Sequence, residues 1–83
     1  MINLEEIHKA MNSNDVLNVV NSLMFEWTFE EEEGYVEEHI EEVIVPLCRM
    51  IEFQPTEAQL LAIKALFNKR IQSAEEKGEW RIQ

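Results

Sequence analysis

Two glutamate–histidine pairs at helical spacing, Glu5-x-x-His8 and His39-x-x-Glu42, together with the single cysteine Cys48, are the residues of this chain whose types could do chemistry. A carboxylate and an imidazole three residues apart on a helix lie on one face and could share a metal, as in di-iron bundles. Such a centre needs two pairs in the same order and further glutamates projecting into the core; here the second pair is reversed and Glu42 falls opposite the apolar face of its helix. One cysteine and two histidines make no zinc ligand set. Cys48 and His39 stand about 13 Å apart along a helix axis, too far for the imidazole to activate the thiol. Gly34 and Gly78 are the only glycines, so no phosphate-cradling loop is available, and Ser13, Ser22 and Ser73 have no nucleophile-elbow context. The expectation is a non-enzymatic protein with neither metal nor cofactor.

What remains chemically distinctive is acid. The stretch FEEEEGYVEEHIEEV, residues 29–43, holds eight glutamates and no lysine or arginine, within a chain of 17 acidic and 7 basic residues and net charge −10. Residues 1–52 carry 13 of the acids against Lys9 and Arg49 alone, whereas residues 53–83 carry four acids and five bases. This balance argues against direct binding of nucleic acid, whose phosphates are held by lysine and arginine. Acids near a helix N-terminus are favoured by its dipole, and a solvated face must be polar in any case. Against that bland reading, Glu33–Glu37, Glu37–Glu41 and Glu38–Glu42 are like charges four apart, each costing about 0.2–0.5 kcal/mol on one helix, with no base interleaved. The sequence therefore offers Glu37, Glu38, Glu41 and Glu42, with Glu30 and Glu33, as a surface for a basic protein partner. Carboxylates about 5–6 Å apart on a helix resemble in spacing and sign a row of phosphates. In size and composition the chain looks like small phage or plasmid inhibitors that mimic nucleic acid, or immunity proteins that neutralise basic nucleases, although it matches no family motif residue by residue. The alternative is a structural or assembly protein that dimerises through helices and uses the acid only for solubility.

The elements that must position these residues read as helices. Asn3 can cap a first helix over about 4–11, with Glu6 reaching back and Ile2 stapling onto Ile7. NSND at 12–15 supplies caps for a second over about 15–27, whose face is Val16, Val20, Leu23, Met24 and Trp27. FEWTF also alternates apolar and polar residues, so a hairpin-like pairing with EWRIQ at 79–83 is the competing reading there. Val36, Ile40, Val43, Leu47, Met50 and Ile51 share one face of a third helix over about 35–52, with the glutamates opposite and a kink or break expected near Val45 because of Pro46. Thr56 and Gln59 form a capping box for a fourth helix over about 57–77, ended by Gly78. Its stripe is Leu60, Ile63, Phe67, Ile71 and Ala74; Leu61, Ala65 and Leu66 fall outside it and are candidates for self-association. The fold class expected is all-α, a small bundle of about four helices in one domain over 1–83.

Cys48 excludes an intrachain disulfide and reads as a buried, inert thiol. The segment MINLEEIHK is unlike a secretory leader, and no apolar run approaches the ~20 residues of a membrane span, so a cytoplasmic protein with no membrane contact is expected. Trp27, on its apolar stripe, is expected in the core, while Trp80 is divided between core and interface.

Overall fold

The computed structural model describes residues 3–29 and 34–77. Among them are five helices and no strand: α1 (Leu4–Ala10), α2 (Asn14–Phe29), α3 (Tyr35–Glu38), α4 (Ile40–Met50) and α5 (Glu57–Lys77). The chain is an all-α bundle, as its periodicity indicates. FEWTF is helical to Phe29 rather than extended; EWRIQ, Gly78, Trp80 and Ile2 lie outside the described residues.

Capping fixes the starts. The Asn3 side chain accepts a hydrogen bond from the Glu6 amide at 2.8 Å, opening α1. At α5 the full reciprocal box forms: the Gln59 amide donates to Thr56 Oγ1 at 3.2 Å, and the Thr56 amide donates to Gln59 Oε1 at 2.7 Å. Between α1 and α2 the chain tightens through Asn12 N–H to Lys9 C=O at 3.1 Å and Ser13 N–H to Ala10 C=O at 3.0 Å. These bonds satisfy carbonyls that the end of α1 would otherwise leave open.

Helix α2 is central, packing on α5, α4 and α3, while α1 lies against α5. Its buried residues Val16, Val19, Val20, Leu23 and Trp27 recur at helical spacing and meet Ala62, Ile63, Phe67, Ile71 and Ala74 of α5. Val36, Ile44, Cys48 and Ala10 close the same cluster from α3, α4 and α1. Burying each large side chain of this set removes apolar surface worth about 1.5–3 kcal/mol.

The third helix departs from expectation in two ways. It divides into α3 and α4 at His39 (φ −116°, ψ 29°), and α4 runs unbroken through Pro46, where a kink or break near Val45 was expected. Pro46 lies in the interior of α4 on its exposed side, and it forfeits one hydrogen bond, to the Glu42 carbonyl, without ending the helix. The break at His39 falls between both members of the Glu37–Glu41 and Glu38–Glu42 pairs, interrupting the register that would stack like charges on successive turns. It also resets the helical phase. Ile44 and Cys48 are the buried residues of α4, Ile40, Val43 and Leu47 are partly buried, and Met50 (79% exposed) and Ile51 face out, contrary to their expected place on the apolar stripe.

The end of α4 is shaped by Glu52, whose φ of 53° is the only positive value at a described non-glycine residue. Its amide donates to the Arg49 carbonyl at 3.1 Å, and the Phe53 amide donates to the Cys48 carbonyl at 2.9 Å. This paired closure is normally built on glycine in the left-handed position. It turns Phe53 back beneath α4, where it packs against the core.

Candidate functional site

The four glutamates of α3 and α4 are all exposed, yet their surroundings differ. Glu37 Oε1 accepts from Trp27 Nε1 at 2.5 Å, and Trp27 is only 3% exposed, so this carboxylate ties α3 to the core helix α2. Glu41 Oε1 lies 2.5 Å from Lys64 Nζ on α5. That hydrogen bond and the Lys64 charge hold the Glu41 carboxyl below its ordinary value. Glu42 faces His39 across 3.4 Å. Glu38 turns over Gly34, with Oε1 3.5 Å from where a β-carbon on that glycine would sit. Glu30 and Glu33 lie outside the described residues.

Two of these links were invisible in the linear sequence. Lys64 stands 23 residues from Glu41 and reaches it only because α5 passes the start of α4. The repulsion expected to be wholly unrelieved is thus relieved at Glu41. The Trp27–Glu37 bond likewise joins residues 10 apart on different helices. A sequence cue existed only for the tryptophan, since a buried indole needs an acceptor for its N–H.

Of the residues considered for chemistry, the structure brings His39 and Glu42 within 3.4 Å of each other. Among the described residues no group of three or more histidine, cysteine or acidic side chains is arranged to hold a metal. Cys48 is a buried free thiol, and burial pushes its pKa up, opposite to what nucleophile activation requires. No helix among the described residues is long and apolar enough to cross a membrane.

Glu38, His39, Ile40, Glu41 and Glu42 line an open hollow at the α3–α4 junction, and a separate groove lies further along α4. Ile44, Val45, Cys48, Phe53, Pro55 and Leu60 line an open apolar groove of about 260 Å³ between α4, the following loop and the start of α5, with Arg49 also on its wall. Val45 leaves 49% of its surface exposed there. Of the self-association candidates, Leu61 is 41% exposed and Ala65 is exposed, whereas Leu66 is partly buried against the intramolecular core. The structure thus leaves Leu61 and Ala65 as the outward residues of that set.

No protein-family model matches this chain, and no curated protein and no solved structure matches it either.

Proposed function

We propose that this protein is a non-enzymatic binding module whose acidic α3–α4 face engages a basic surface on a partner protein. One observation carries the reading: Glu37, Glu38, Glu41 and Glu42 are all exposed, and Glu38, Glu41 and Glu42 line one open hollow at the α3–α4 junction, while Val36, Ile44 and Cys48 are buried. Among the described residues only Lys64 supplies a lysine or arginine within ion-pair distance of the four. Charge held out from the fold in this way serves association rate and partner choice. Glu38 and Glu42 are the residues most available to lysines and arginines, since Glu37 and Glu41 also hold the bundle together. The break at His39 removes the continuous row of carboxylates that a nucleic-acid mimic would present, so the reading favours a basic protein surface in general, with inhibition of a nucleic-acid-binding protein as one form of it. A reducing cytoplasm suits a free buried thiol such as Cys48.

The test is capture of partners from the source lysate at low and moderate salt, using wild type, Glu38→Gln/Glu42→Gln and the control Glu75→Gln/Glu76→Gln. A basic protein retained by wild type and by the control, lost at moderate salt and weakened by the first variant, supports the proposal. Equal retention by all three chains would reject it.

A further inference from the structure

The outer strip of α4 changes character within a short distance. Glu41 and Glu42 open it, Val45 follows one turn on and forms a wall of the apolar groove, and Arg49 follows a further turn on, so acid and cation are separated by about 11 Å along the axis with apolar surface between them. An occupant must bring an apolar side chain for the groove between Val45, Cys48 and Leu60 and cationic groups for Glu42 and neighbouring Glu38, Glu41 being held by Lys64, and must keep its cations away from Arg49 on the groove wall.

From this we infer that the groove is the anchor site for an amphipathic basic segment of the partner, an apolar residue inserting beside Val45 while lysines or arginines one turn away meet the start of α4. The inference rests on the proposed acidic binding face and adds the chemistry of what that face binds.

A second copy of the chain fits less well. Antiparallel apposition of two α4 helices about Val45 would place Arg49 against Glu41 or Glu42 twice, but the same register brings Glu38 opposite Glu52 twice. Glu38, Glu41, Glu42 and Glu52 outnumber Arg49 on each strip, so apposing two strips doubles an acidic excess that a basic segment would neutralise.

The probe is a short synthetic amphipathic helix of leucine, lysine and alanine, compared with a version in which alanine replaces leucine and with a scrambled version of the same composition. Amide shifts of the uniformly labelled protein report the site. The amphipathic peptide should shift Val45, Cys48, Phe53 and Leu60 amides and bind about tenfold more tightly than either comparison peptide. Val45→Glu adds attraction for lysine while removing apolar surface at a half-exposed position, so on this account it weakens the amphipathic peptide and leaves the alanine version unchanged or tighter.

If the peptides bind equally and shift only residues 38–42, the anchor site is wrong and the acidic face stands. If none binds, both fall. If wild type sediments as a dimer with the groove amides protected, the occupant is a second copy and the inference is overturned.

Discussion

Replacing Glu52 by glycine should stabilise the protein, because Glu52 holds the left-handed conformation that closes α4 and sets Phe53 beside the groove. A side chain at φ near 53° costs about 1–2 kcal/mol relative to ordinary helical geometry. Glycine removes that strain but raises the entropy of the unfolded chain, returning about 0.5–1 kcal/mol. Removing a carboxylate from the negative end of the α4 dipole adds about 0.3 kcal/mol. The net gain is about 0.3–1.8 kcal/mol, centred near 1, and a gain of about 1 kcal/mol raises Tm by about 4–8 °C for a domain of this size. Glu52→Ala separates the contributions, since it removes the charge and keeps the strain, and should recover only the dipole part. Both are measured by thermal and urea unfolding followed by circular dichroism at 222 nm, a helix-band wavelength. A glycine variant no more stable than the alanine variant would refute the account of this turn.

Thr56→Ala should cost about 0.5–2 kcal/mol in urea unfolding by deleting half of the α5 capping box, whereas Thr56→Ser, which keeps the hydroxyl, should cost far less. Lys64→Gln should return the Glu41 carboxyl to its ordinary range, read by side-chain carbonyl shifts in a pH titration. Because the folded-state pKa of Glu41 is lowered, the stabilisation from its pair is present above the unfolded-state value and lost as pH falls through the folded one; the lysine variant should lack that part of the acid slope, and salt should weaken it in wild type. Phe67→Ala should destabilise by about 3–5 kcal/mol, enough to leave much of the chain unfolded near the lower limit of ordinary domain stability, and the helical signal at ambient temperature should fall accordingly.

Local signals carried most of the fold. α5 spans the residues expected of it because its Thr56 and Gln59 cap is made within one turn, and the α2 face from Val16 to Trp27 is set by simple helical spacing. Where sequence reading failed, the deciding contacts were distant ones. Pro46 is the strong local breaker, yet the helix divides at His39, among glutamates drawn toward Trp27 on one side and Lys64 on the other. That division turns α4 by about one residue, which buries Ile44 and Cys48 and exposes Met50. Glu52 gave no warning of a left-handed turn, since the residue usually found there is glycine. At the acidic surface the identities of the exposed glutamates were legible, but their division into structural and outward roles was not, because Trp27 and Lys64 are neighbours only in the folded chain. The groove was hidden for the same reason, being assembled from α4, its closing turn and the start of α5.

The central claim, that the acidic face does the binding, is tested most directly by stopped-flow association of the captured partner as a function of ionic strength. Wild type and the Glu75→Gln/Glu76→Gln control should associate with similarly steep salt dependence, whereas Glu38→Gln/Glu42→Gln, with the Trp27 and Lys64 contacts untouched, should associate more slowly at low salt and with a flatter slope. Superimposable rates for all three proteins across the salt range would contradict the account and leave these glutamates as solvated surface.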